Sequence, residues 1–139
     1  MGVIHHLDSD GIEALLAGSI VGRIACNQPG ERPYLVPLAY AYDGDSIYAV
    51  SGPGRKLDLM RSDPRVSFEV DRVEQSDRWQ SVVAEATFEE IADPDEVQLA
   101  VALVERATGV PVVMGAHSVV FRLRITARSG RYELPDDLT

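Results

Sequence analysis

From Val66 to Asp71 apolar and polar positions alternate, with Val66, Phe68 and Val70 set against Ser67, Glu69 and Asp71. A period of two places one set on each face, so this stretch is read as a strand with one buried side. The same alternation closes the chain. In "HSVVFRLRITARS" Val119, Phe121, Leu123 and Ile125 oppose Ser118, Val120, Arg122 and Arg124. "IVGRIACN" and "SVVAEATFEEI" read as further strands, and "YLVPLAYAYDGDSIYAV" as a pair joined at Asp43-Gly44-Asp45, since Asp-Gly is a strong hairpin signal. Three segments follow helical spacing instead. "HLDSDGIEALLAGS" offers Asp8, Ser9 or Asp10 as a cap, then Ile12, Leu15 and Leu16, with Gly18 as a stop. "DPDEVQLAVALVERATG" has Asp93 as cap, Pro94 in the first turn and Gly109 at the end. "SGPGRKLDLMRSDPRV" supplies a short helix between strands, with Gly52 as cap and Pro53 in its first position.

The predicted order is helix, three strands, helix, two strands, helix, strand. Its links are short enough for hairpins and too short for most parallel crossovers. A mainly β fold with peripheral helices follows, its six antiparallel strands forming a barrel or curled sheet. At 139 residues one domain over 1–139 is expected. An apolar fraction of 45% suits an ordinary globular protein. The net charge of -9 repels phosphate backbones and anionic lipid, so neither nucleic acid nor membrane is expected as a partner. The one cysteine, Cys26, allows no intrachain disulfide and too few thiolates for a cysteine zinc site, and it reads as a small buried strand residue. No apolar run approaches membrane-spanning length, and a cytoplasmic protein is expected.

Against that charge, Arg55 and Lys56 stand out, because both fall in the first turn of the short helix. Cations there oppose the helix dipole at roughly 0.3–1 kcal/mol each. Two readings remain open at this point. One is a solvated basic turn, shielded by Asp58 and solvent; the other is an anion held by free helix amides and the two side chains. Known phosphate loops do not apply: G-x-x-x-x-G-K-[ST] is absent, and Gly52-x-Gly54 lacks a third glycine and a βαβ setting.

"RPYLVPLAYAYDGDSIYAVSGPGRKLDLMRSDPRVSFEVD", followed by "RWQSVVAEATFEEIAD", resembles the FMN-binding split-barrel proteins related to pyridoxamine 5'-phosphate oxidase. Within them the chain looks most like the nitroimidazole-resistance-type flavin-nucleotide-binding proteins. The resemblance implies a six-stranded split β-barrel of the FMN-binding type. It also implies an FMN phosphate at Ser51, Arg55 and Lys56, and a flavin ring lined through backbone groups by Pro37, Leu38, Ala39, Ala49 and Val50. Ser81 matches a polar flavin contact; beside it Trp79 is a candidate to cover one edge of the flavin and Gln80 to hydrogen-bond it. A homodimer with the flavin at its interface is implied too, with Arg128, Arg131 and Tyr132 near the partner. Two positions depart from the family pattern. Val50 stands where relatives commonly carry a histidine, and Arg122-Leu-Arg124 lacks the Arg-x-His motif of the true oxidases.

Other residues have plainer readings. Trp79 also suits packing at a barrel rim, and Gln80 an exposed strand position. His5 and His6 read as a solvated arm without a third metal ligand. His117 reads as a lone exposed histidine, with a cofactor edge or haem as its alternative. Glu85, Glu89 and Glu90 read as a solvated face. The expected function is an FMN-dependent oxidoreductase passing electrons from a reduced nicotinamide cofactor to a small acceptor, with no side chain nominated as acid or base. The alternatives are a flavin carrier or sensor without turnover, and a member of the fold that takes F420 or haem. For F420 the nearby cations would be Arg61 and Arg65.

Overall fold

The computed structural model describes residues 2–138. Its elements are β1 (Val3–His6), α1 (Ser9–Gly18), β2 (Val21–Cys26), β3 (Tyr34–Ala39), β4 (Ala41–Tyr42), β5 (Ser46–Ser51), α2 (Arg55–Ser62), β6 (Arg65–Gln75), β7 (Arg78–Ile91), α3 (Pro94–Thr108) and β8 (Val119–Leu134). The strands form one antiparallel sheet in the order β3-β2-β6-β7-β8-β5-β4, with β1 also paired to β8. The two ends of that path, β3 and β4, are separated in the chain by Tyr40 alone. One bent strand therefore returns the sheet to itself and closes a split barrel.

The alternation read in the sequence sets the inside. Ile24 and Cys26 of β2, Phe68 and Val70 of β6, Val82 and Ala84 of β7, and Phe121 and Leu123 of β8 are buried in one cluster. Leu15 and Leu16 of α1 and Leu57 and Met60 of α2 join it, closing the barrel over its openings. A smaller cluster of Ile91, Ala100 and Val120, with Tyr48 and Val50 packed on it, holds α3 outside the barrel. Local signals at the turns act as expected. Asp8 accepts the Gly11 amide at 2.8 Å and Asp93 accepts that of Glu96 at 3.0 Å. Gly109 ends α3 at φ 73°, and Gly44 sits at φ 97° in the β4–β5 hairpin, conformations that favour glycine.

Several boundaries differ from the sequence reading. The sheet has eight strands where six were expected, because one predicted strand divides at Tyr40 and the N-terminal arm is itself a strand. His5 and His6 lie in β1, paired with Tyr132 and Arg131 of β8, and the His5 ring stacks on Tyr132 at 4.9 Å. α2 begins at Arg55 with Gly54 as its cap, two residues later than expected, since residues 52–54 do not take helical conformation. β7 begins at Arg78, so Trp79 lies within the strand and not ahead of it, and β8 runs to Leu134. Glu89 and Glu90 are ion-paired instead of merely solvated: Glu89 meets Arg122 at 3.2 Å and Arg124 at 3.0 Å, and Glu90 meets Arg61 at 2.5 Å. Among the described residues no helix is long and apolar enough to cross a membrane.

Tyr40 is fully buried, edge-on to Phe68, and its hydroxyl donates to the Leu16 carbonyl at 2.6 Å. Tyr40→Phe is expected to lose about 1–3 kcal/mol, read as a lower urea midpoint at unchanged slope. Burial pushes the Tyr40 hydroxyl from 10 up to about 12. The neutral form is thus favoured by folding, so its contribution is complete below the unfolded value and fades as pH rises through the folded one. The native protein should lose stability between pH 10 and about 12, and Tyr40→Phe should lose less over that range.

Candidate functional site

The bend at Tyr40 leaves two strand edges open. Ala41 and Tyr42 pair with Tyr48 and Ile47 of β5, but the Tyr40 amide donates to the Ile20 carbonyl at 3.1 Å instead of continuing that ladder. Beyond this point Ala49, Val50 and Ser51 keep β8 on one side and have no strand on the other among the described residues. Among the described residues β3 likewise pairs with β2 alone. Backbone N–H and C=O groups on such edges are free for a ligand. Along β3, Tyr34, Val36 and Leu38 pack toward the core, while Leu35, Pro37 and Ala39 are exposed. Proline at an edge position removes no ladder bond the sheet needs. The Leu38 and Ala49 side chains are in the core, so these two can meet a ligand only through their backbone, while Val50 is partly buried against the cluster beneath α3.

α2 spans the split. Leu57 and Met60 anchor it in the barrel, which leaves its first turn beside the start of β3. Gly54 provides no side-chain cap, and the space beside Gly52 and Gly54 is open. Among the described residues the first amides of the helix therefore have no side-chain cap. Arg55 donates through Nη2 to Gln28 Oε1 at 2.6 Å, and its guanidinium lies 4.7 Å from the centre of the Tyr34 ring. Lys56 is half-buried beside the buried thiol of Cys26. Burial pulls its ammonium below the ordinary lysine value, with Cys26 acting weakly in the other direction. Burial likewise pushes the Cys26 thiol up, partly offset by Lys56. Neither Arg55 nor Lys56 has an ion pair with a carboxylate among the described residues, and Asp58 pairs with neither. Ser51 Oγ, at the end of β5, donates to the Gly52 carbonyl at 3.0 Å.

The other candidates are elsewhere. Trp79, Gln80 and Ser81 begin β7, and Trp79 Nε1 donates to Glu133 Oε1 at 2.7 Å. Across the sheet, Pro37 pairs with Arg23, Arg23 with Glu69 and Glu69 with Val83. Three strand spacings, about 14 Å, therefore separate β3 from β7 on this face. An ion cluster fills the interval: Arg23 meets Glu69 at 2.6 Å and Asp71 at 2.9 Å. His117 lines a recess of about 390 Å³ with Pro53, Leu57 and Arg61. Arg61 and Arg65 are already paired, to Glu90 at 2.5 Å and Asp63 at 2.9 Å. The sequence reading missed Gln28 and Glu133, whose contacts lie 27 and 54 residues away in the chain and carry no local signal.

A pyridoxamine 5'-phosphate oxidase profile matches residues 8–132. The chain belongs to that family. Among solved structures, an FAD-binding protein from Mesorhizobium loti is 36% identical and aligns over 95% of this chain and 99% of its own at a TM-score of 0.80. A candidate 5-nitroimidazole antibiotic resistance protein from Bacteroides thetaiotaomicron aligns over 95% of this chain and 89% of its own at a TM-score of 0.81 and 19% identity. An FAD and haem binding protein from Mycobacterium smegmatis aligns over 94% and 74% at 0.70 and 19%. These last two share the fold. An uncharacterised protein of Rhizobium meliloti (strain 1021) is 35% identical over 79 residues, or 57% of this chain. The match spans 52%, about half, of that curated relative's length.

If an anion completes the α2 start, it should reverse the effect of burial on Lys56. In ¹³C spectra of the reductively methylated protein, Lys56 is expected to titrate below the exposed-lysine range, and to move upward on addition of inorganic phosphate. An unmoved Lys56 would count against an anion seat.

Proposed function

We propose that the chain binds a flavin nucleotide, FMN in the first instance. Its phosphate would sit at Ser51, Arg55 and Lys56, and its ring along the open backbone of Pro37–Ala39 and Ala49–Val50. The observation that carries this reading is a basic pair that, among the described residues, has no carboxylate partner, at a helix start without a side-chain cap and between two strand edges left unpaired by the described strands. Phosphate would restore the charge balance there, and the free backbone groups suit the polar edge of a flavin ring. The FAD-binding relative from Mesorhizobium loti supports the ligand class.

The reading includes a homodimer. With Trp79, Gln80 and Ser81 about 14 Å across the sheet from β3, one flavin touching both sets would draw them from two copies. Bound flavin supplies hydride and electron chemistry. The chain's own part would be to hold the phosphate, orient the ring and exclude water. In this proposal the electrons come from a reduced nicotinamide cofactor and pass to a small acceptor, in the cytoplasm. Steady-state assays with NADH or NADPH and a panel of nitroaromatics and quinones separate turnover from a carrier or sensor role.

FAD is the second reading, and the relative's ligand favours it. A groove of about 720 Å³, lined in part by Gln28, Asn27 and Arg65, opens beside the Arg55 contact and has room for a further nucleotide. F420 is less well served, because Arg61 and Arg65 are committed to carboxylates.

Changing Arg55 and Lys56 together to Ala is expected to weaken FMN binding at least tenfold, as loss of charge-assisted phosphate contacts would. Riboflavin, which lacks the phosphate, should bind both proteins alike. FMN affinity unchanged by the double substitution would remove the phosphate assignment. FAD binding tighter than FMN in the native chain would favour the second reading.

A further inference from the structure

Register places Pro37, Arg23, Glu69 and Val83 in one row across β3, β2, β6 and β7. Their chain neighbours Leu38, Ile24, Phe68, Val70, Val82 and Ala84 point into the core, so the row lies on the outer face of the sheet. Val21, Leu35 and Val83 of that face are 44%, 65% and 42% exposed, a spread of apolar surface of the kind a partner covers. An ion cluster sits in the middle of it. Arg23 Nη2 meets Glu69 Oε1 at 2.6 Å and Asp71 Oδ2 at 2.9 Å, so two carboxylates share one guanidinium and the cluster is net negative. Burial pushes the Glu69 carboxyl above its usual value, Arg23 pulls it down, and the neighbouring Asp71 carboxyl pushes it up again. Other charges on the face stand further off. Asp71 is followed across the sheet by Ser81, then Arg131 of β8 and His6 of β1, and Glu85 lies opposite Ser67. β3 brings no charged residue.

The homodimer reading above, on which this inference rests, sets what covers the face. A flavin shared between Pro37 of one copy and Ser81 of the other places β3 opposite the second copy's β7. In face-to-face packing, a two-fold axis that opposes β3 to β7 also opposes β2 to β6 and runs along the midline between them. Arg23 and Glu69 face each other directly across that midline. Each cluster therefore meets its own copy at the axis, and each copy brings two carboxylates and one guanidinium out of water. Carboxylates crowded in this way hold a proton between them. We propose that a second copy of this chain covers the β3–β7 face, and that each Glu69–Asp71 pair takes up a proton as it does so. The pair then binds more protons in the dimer than in the free chain. Association is thus favoured at low pH and weakens as pH rises through the pair's value in the dimer.

Sedimentation equilibrium of the full chain at fixed salt, from roughly pH 8 down to roughly pH 5.5, reads the dimer affinity. The native chain is expected to dimerise at least tenfold more tightly at the lower pH. Glu69→Gln keeps an acceptor for Arg23 and removes one charge, so it should dimerise tightly across the range with a flat profile. Glu85→Gln, on the same face but outside the cluster, should keep the native slope, which separates the pair from general repulsion in an acidic chain. Leu35→Arg, at an exposed position, should leave the fold unchanged and weaken the dimer at least tenfold. For a dimer too tight to dissociate, subunit exchange between labelled and unlabelled chains gives the same reading, faster at the higher pH in the native chain alone. A flat native profile, a slope that survives Glu69→Gln, or one that Glu85→Gln abolishes would overturn the proposal. A dimer indifferent to Leu35→Arg would overturn this face and keep the homodimer reading. A chain that stays monomeric at every pH, with and without FMN, would refute both.

Discussion

The bend at Tyr40 governs the rest of the structure. Its ring is buried against Phe68 of β6, its hydroxyl is bonded to Leu16 of α1 and its amide to Ile20 just ahead of β2, so three contacts draw this residue off β5. The same bend closes the barrel, because it carries one strand from β5 across to β2. It also opens the barrel on one side, because the ladder with β5 stops at Ala41. Stability and the exposed backbone edges thus have a single origin. α2, anchored by Leu57 and Met60, sets its uncapped start against that opening.

Charge then adds to those exposed edges. In an acidic chain, Arg23, Arg61, Arg65, Arg122, Arg124 and Arg128 each sit on a carboxylate. Exposed pairs of this kind add little stability one by one, but they leave those cations committed. Arg55 has an amide oxygen and an aromatic ring as neighbours, and Lys56 has a thiol. Neither is neutralised by a carboxylate among the described residues. The contact with Gln28 brings the loop between β2 and β3 into the candidate site, since it draws the Arg55 guanidinium toward that loop.

Much of this was legible in the residues. Alternation in β6 and β8, the Asp93 and Gly109 caps of α3 and the Asp-Gly hairpin each report local physics, and each appears where expected. The bend was hidden because "YLVPLAYAY" is one continuous apolar run with no turn signal at Tyr40, and what turns the chain there is hydrogen bonding to Leu16 and Ile20. β1 escaped notice for a related reason. Its residues are mostly exposed, and it is a strand by virtue of pairing with β8 rather than by burying a face. The outer half of the β6–β7 hairpin, past Val70, likewise carries no apolar stripe. The basic pair was visible as an anomaly of charge, while its partners Gln28 and Tyr34 emerge only when the barrel brings α2 to the start of β3.

The most direct test is the near-ultraviolet and visible absorbance spectrum of the purified protein, followed by heat release and mass identification of any chromophore. The account predicts the two-band spectrum of an oxidised flavin, present on purification or after incubation with FMN, and release of an intact nucleotide. A colourless protein that takes up neither FMN nor FAD would contradict it, and would leave Arg55 and Lys56 as a solvated turn on a shared fold.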